Sequence, residues 1–148
     1  MHYSEIVAEG GLETLRQVAD AILARLNVRV LKAPAPGMVM IRHIDPLLKT
    51  RFLLGEAFVT ECEVEVDGRL GYGCVLGQAE ERALCGALVD AVFGGIAARH
   101  SDAPRGPVSH TMALDLEPLL DAERVRIEAR WDAESRAAAS TRVNFEVR

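Results

Sequence analysis

The sequence predicts an α+β fold: an antiparallel sheet of about four to five strands packed with about three helices in a single domain, residues 1–148. Three observations carry this expectation. Residues 57–66 alternate strictly and are followed by Asp67-Gly68 and a second alternating run, the pattern of a β-hairpin. Apolar residues recur at helical spacing through Leu12, Leu15, Val18, Ala19, Ile22, Leu23 and Leu26, and again from Gly77 to about His100. A chain of 148 residues, 49% of them hydrophobic, can build one real core and is short for two.

The elements follow in order. Leu12 to Leu26 is the first amphipathic helix, and Val28 to Leu31 is a short strand that Ala33-Pro34-Ala35-Pro36-Gly37 interrupts, because each proline fixes φ and restricts its predecessor. Met38 to Ile44 resumes as a strand, Asp45-Pro46 turns, and Leu47 to Leu54 is extended. In the next strand Phe58, Thr60, Cys62, Val64 and Val66 form the core side, with Glu61, Glu63 and Glu65 on a solvated face. Its partner presents Leu70, Tyr72, Cys74 and Leu76 in alternation with Gly71, Gly73 and Val75. A two-residue loop would set the glutamates opposite Leu70, Tyr72 and Cys74. A three-residue loop closed by a left-handed Gly68 is therefore expected, pairing Val64 with Leu70, Cys62 with Tyr72 and Thr60 with Cys74.

Gly77-Gln78 opens a helix running to about His100, acidic at its start through Glu80 and Glu81 and basic at its end, as the helix dipole favours. Leu84, Leu88, Val92 and Ile96, widened by Cys85, Val89 and Phe93, form its apolar face. A stripe of small residues, Ala83, Gly86, Ala87, Asp90, Gly94 and Ala97, admits another backbone at close range. Gly71-Tyr72-Gly73 reads as a strand twisted or crowded by a neighbouring backbone rather than as a ligand loop. Residues 101–115, with Pro104, Gly106 and Pro107, form a connecting loop. A third helix covers about Glu117 to Ala139 with Leu120, Ile127 and Trp131 as its seam, and residues 142–147 alternate as a terminal strand or extended arm.

The net charge of -5 and the absence of a basic run argue against nucleic acid and anionic membranes as partners. No apolar stretch has the length of a signal peptide core or a membrane span, so a cytoplasmic location is expected. Cys62, Cys74 and Cys85 are read as reduced, buried thiols; neither they nor His2, His43, His100 and His110 have the spacing of a metal site. Neither a phosphate-binding G-x-x-x-x-G-K-S/T loop nor a G-x-S-x-G nucleophile elbow occurs. No catalytic, cofactor-binding or metal-ligating residue is assigned. Asp90, a carboxylate in an apolar helix, reads first as a structural hydrogen-bond acceptor. Lys49, Arg51 and Arg142 could each hold a phosphate, but isolated basic residues are unspecific.

Five short stretches follow one another in order: Gly37-Met38-Val39-Met40; Arg51-Phe52-Leu53-Leu54-Gly55-Glu56 followed by Thr60; Gly71-Tyr72-Gly73 with Leu76-Gly77; Glu81-Arg82-Ala83 leading to Ala87-Leu88-Val89-Asp90-Ala91; and Thr141-Arg142-Val143-Asn144-Phe145. Together they resemble the PhnG family of the bacterial carbon-phosphorus lyase system. Asn144 departs from the family pattern, where Asp is usual. The resemblance implies an accessory subunit without catalytic residues of its own. Such a subunit would act with PhnH, PhnI and PhnL relatives to transfer the ribose triphosphate of ATP to an alkylphosphonate with release of adenine. It also implies a PhnI-like subunit as the main partner among the core subunits; for the chain alone, monomer and homodimer both stay open. Interface centres favour aromatic and Arg anchors, so Phe52, Arg142 and Phe145 are the expected anchors, with Glu56 and Asp90 as polar contacts. Two other classes stand beside this one: a free-standing small enzyme using a carboxylate site, and a homo-oligomeric scaffold.

Overall fold

The computed structural model describes residues 2–94 and 107–140. The element order is α1 (Tyr3–Glu9), α2 (Leu12–Arg25), β1 (Val28–Ile44), β2 (Arg51–Val66), β3 (Arg69–Leu76), α3 (Glu80–Phe93) and α4 (Pro107–Ser140). The expected α+β class holds, with three antiparallel strands in the order β1-β2-β3 and four helices among the described residues. The strand number falls because expected pieces fuse. The prolines do not break β1: it is an edge strand, where a missing N–H costs no ladder bond, and its register slips between Val30 and Lys32, between Lys32 and Ala35, and between Ile41 and Arg42. Likewise 47–54 and 57–66 are not separate: β2 runs unbroken from Arg51 to Val66. The terminal strand expected at 142–147 lies outside the described residues.

The β2–β3 hairpin closes with the two-residue loop, not the three-residue one. Val66 pairs with Arg69 around Asp67 and Gly68, whose φ values of 48° and 80° are both positive, as a type I′ turn requires. Glu61, Glu63 and Glu65 therefore oppose Cys74, Tyr72 and Leu70, while Cys62 and Val64 oppose Gly73 and Gly71. The side of β3 facing the helices is its glycine side. A Cβ built on Gly73 would lie 1.9 Å from the Ala83 carbonyl oxygen, and one on Gly71 would lie 2.1 Å from that of Ala87. The small stripe of α3, expected to admit another backbone, is met by the glycines of β3, and the bulky β3 residues are turned outward. Leu76 is 75% exposed and Cys74 is exposed, against the expectation that all three thiols are buried; burial pushes the other two, Cys62 and Cys85, up in pKa.

α3 is the hub. Ten of its fourteen residues are buried because the sheet lies on one side and α1, α2 and α4 lie on the others. It stops at Phe93, where Gly94 takes the left-handed cap with φ 79°; the expected continuation to His100 falls outside the described residues. Its start is held by Thr60, whose hydroxyl donates to the Gly77 carbonyl and accepts from the Ala79 N–H. α4 begins at Pro107 rather than near Glu117. Residues 107–115 are helical because proline is well suited to the first helical turn, where its missing N–H has no partner to lose. Its buried seam is Met112, Leu116, Leu120, Glu123 and Ile127, whereas Trp131, expected in the seam, is 41% exposed.

Two charged side chains clamp the α1–α2 corner. Arg82 Nη1 donates to the carbonyls of Val7 and Gly10 at 2.6 and 2.9 Å. Glu123 accepts from the Gly11 N–H at 2.6 Å and the Thr14 hydroxyl at 3.1 Å, supplying from α4 the cap that α2 lacks.

Replacing Gly73 with Ala should destabilise the protein by about 3 kcal/mol, since the colliding atoms are helix backbone that cannot rotate away. Denaturant unfolding measures this, and a loss under about 0.5 kcal/mol would contradict the packing described. Glu123 yields a pH prediction. Burial raises its pKa, but the bonds from Gly11, Thr14 and Arg126 outweigh burial and hold it below the usual range. A depressed folded pKa means that the cap contributes fully above the unfolded value of about 4.3 and is lost as pH falls through the folded value. Glu123→Ala should cost about 2 kcal/mol at pH 7. Its stability should also fall less steeply than that of the parent as pH drops below about 4.

Candidate functional site: an apolar β-arm

Not one residue from Arg29 to Phe58 is buried. The apolar core takes in β2 at Cys62, Val64 and Val66 and β3 at Val75, and the start of α3 meets β2 at Thr60, so the far halves of β1 and β2 extend past the described helices as a two-stranded arm. Its sequence is nonetheless apolar. Met38, Met40, Ile41, Ile44, Leu47, Leu48, Phe52, Leu53, Leu54 and Phe58 are all exposed, Leu47 at the tip by 88%. Single exposed apolar residues are ordinary, but a contiguous set of this size marks an interaction surface.

The arm is apolar on both faces. In the register Met38↔Phe58, Met40↔Glu56, Ile41↔Gly55, Arg42↔Leu53, His43↔Phe52 and Ile44↔Arg51, one face carries Met38, Met40, Ile44, Leu53 and Phe58. The other carries Val39, Ile41, Ala57 and Phe52, with the Phe52 and His43 rings edge to face at 5.4 Å. Asp45 shapes the tip by accepting from the N–H groups of Leu47 and Leu48 at 2.7 and 2.9 Å, and those bonds hold its carboxyl below the usual carboxylate range.

Nearer the body the outer sheet face turns polar. Lys32 Nζ lies 2.7 Å from Glu61, which also accepts from the Tyr72 hydroxyl at 2.8 Å, a chain across all three strands. Glu61 is held low chiefly by Lys32 and then by Tyr72; the phenol is pushed up by burial and by Glu61. Arg29 pairs with Glu65 at 2.8 Å. Glu61 and Glu65 are thus held in cross-strand ion pairs, while Glu63 between them is exposed on the expected solvated face.

Of the residues expected at an interface, Phe52 and Glu56 both lie exposed on the arm. Asp90 does not join them. It is 9% exposed in α3, and its carboxylate accepts the Tyr72 N–H at 3.0 Å on the outer edge of β3, away from the ladder with β2. That fits the structural reading of Asp90 and also blocks strand addition at this edge. Arg142 and Phe145 lie outside the described residues. The sequence reading missed Met38 to Ile44 and the Leu47-Leu48 tip. The available signal was the unbroken run Met38-Val39-Met40-Ile41, apolar at both parities, which a sheet covered on one side cannot bury. Among the described residues no group of three or more His, Cys, Asp or Glu is arranged to hold a metal ion, and no helix is long and apolar enough to cross a membrane.

The family model for "Phosphonate metabolism protein PhnG" matches residues 1–148. The chain belongs to the PhnG family. A curated relative from Rhizobium meliloti (strain 1021) is 31% identical over 145 residues, covering 95% of this chain and 81% of its own length. That relative is described as an alpha-D-ribose 1-methylphosphonate 5-triphosphate synthase subunit PhnG. The PhnG family is part of the carbon-phosphorus lyase system and of phosphonate metabolism. The Arg51-to-Glu56 stretch that carried the resemblance forms one strand of the arm in this PhnG protein, and Gly71-Tyr72-Gly73 forms the close contact with α3.

Because Phe52 and Leu53 lie exposed on the arm, away from the described helices, Phe52→Ser with Leu53→Ser should change the unfolding free energy by less than about 0.5 kcal/mol, whereas Val64→Ala should cost about 2 kcal/mol. Equal losses in denaturant titrations of the two proteins would refute the division into arm and body.

Proposed function

We propose that this chain is a non-catalytic subunit of a carbon-phosphorus lyase core complex and that its arm is the element that docks a larger subunit. The complex, with PhnH, PhnI and PhnL relatives, transfers the ribose triphosphate of ATP to an alkylphosphonate and releases adenine; the bond-making groups belong to the other chains. A PhnI-like subunit is the partner, and the cytoplasm is the compartment.

One observation carries this reading: a stretch of 30 residues, 29–58, contains no buried side chain yet presents apolar residues on both faces. Covering it removes that area from water at about 25 cal/mol per Å², the main favourable term in association. Phe52 is the arm's aromatic anchor and Glu56 its polar contact, and Arg142 and Phe145 are two further anchors for the partner. When the larger subunits are missing, the chain pairs with itself as a homodimer.

Co-purification with the PhnI relative provides the test. Phe52→Ser with Leu53→Ser should reduce complex recovery at least about tenfold while the isolated subunit stays folded. Undiminished recovery would remove the arm from the interface, as the same result with Arg142→Ala and Phe145→Ala would remove the tail. The isolated chain should release no adenine from ATP with an alkylphosphonate, and turnover by the pure protein would overturn the accessory role.

A further inference from the structure

From the tip of the arm we infer the chemistry of its receptor: a cleft in the partner protein with apolar walls on both sides and carboxylates where the tip comes to rest. The inference rests on the docking role proposed above and adds what the receptor must supply.

Two observations lead there. The first is the two-sided apolar surface. A flat receptor would cover either the Met38, Met40, Leu53 and Phe58 face or the Ile41 and Phe52 face, leaving the other wet, so only a cleft buries both. The second is the distribution of unsatisfied charge. On the body, Arg16, Arg25, Arg29, Lys32, Arg124, Arg126 and Arg130 each sit within ion-pair distance of a carboxylate. Arg82 is held by backbone carbonyls. The side chains of Arg42, Lys49 and Arg51, clustered near the tip, make no hydrogen bond or ion pair with the described residues, a state that only Arg136 near the end of α4 shares among the described cations. Arg42 and Arg51 project from the same face, since their strand partners Leu53 and Ile44 are two places apart in the ladder. The nearby carboxylates do not answer them: Asp45 is occupied by the backbone of its own turn, and Glu56 stands further back, opposite Met40.

Docking by the apolar faces would carry these three cations out of water. Uncompensated, they would oppose the association that the apolar surface drives. Carboxylates in the receptor remove the conflict and also fix how deeply the arm inserts. A bound polyphosphate could neutralise the cations as well, but the apolar Leu47 and Leu48 standing among them, 88% and 69% exposed, call for a protein wall at the same place.

The test compares the complex with the PhnI relative in three forms: parent, Phe52→Ser with Leu53→Ser, and the triple variant Arg42→Gln, Lys49→Gln, Arg51→Gln. Affinity of the parent should fall about tenfold between about 50 and 300 mM NaCl. The triple variant should bind about thirtyfold more weakly at low salt, with most of the salt dependence gone. If the apolar variant loses binding while the triple variant keeps parental affinity and salt dependence, the docking role stands and the acidic receptor is wrong. If the cations matter only when ATP is present, a polyanion and not the protein neutralises them. If they govern dimerisation of the isolated subunit and leave the complex unchanged, the receptor is a second copy. If neither variant weakens the complex, the docking role and this inference fall together.

Discussion

The approach of α3 to β3 is the constraint from which the rest of the body follows. The carbonyls of Ala83 and Ala87 lie where side chains at positions 73 and 71 would be, so this strand can meet this helix only through glycine. That contact determines which parity of β3 is the inner one. Through the two-residue turn at Asp67-Gly68 it also places Cys62, Val64 and Val66 inside. With one flank pressed onto the sheet, α3 offers its remaining surface to the other helices. Gly86 admits Val7 of α1, Arg82 reaches the end of that helix, and Glu81 pairs with Arg16 of α2 at 2.9 Å. Loss of the glycine contact would separate the layers and strand these polar bonds together.

How far the sequence could be read divides along the same line. Leu12–Arg25 emerged almost residue for residue because its apolar spacing is regular and tertiary contacts merely confirm it. The Asp-Gly turn was legible, but its register was not. The alternation rule takes the bulky parity as the buried one, and in β3 the buried parity is glycine while Leu70 and Leu76 face water. The information was present in the small stripe of α3, which demanded a strand without side chains. It had to be combined with the hairpin, since neither segment decides the register alone. Proline misled twice for one reason: its effect depends on position, and both the irregular edge strand β1 and the first turn of α4 are positions where a missing N–H is tolerated.

The candidate site was legible only in part. Phe52 and Glu56 were picked out because an aromatic and a carboxylate stood in a distinctive stretch, and both lie on the arm. The greater share of the arm's apolar surface comes from Met and Leu residues that in any single strand look like ordinary core. Exposure is a deficit of covering elements, not a property of the residues. It becomes visible only when the described helices have been placed and found to reach no further along β2 than Thr60 and Cys62.

An apolar hairpin held in water invites other hairpins, and the features that discourage this are also those that make it selective. Pro34, Pro36 and the register slips leave β1 a poor template for an added strand, and Asp90 occupies a backbone donor on the opposite edge of the sheet. Arg42, Lys49 and Arg51 set positive charge at the tip, so two arms meeting end to end repel, whereas an acidic receptor attracts either one. The same three charges that penalise burial in the wrong place therefore favour it in the right one. Apolar area supplies the affinity for a partner, and uncompensated charge decides which partner can collect it.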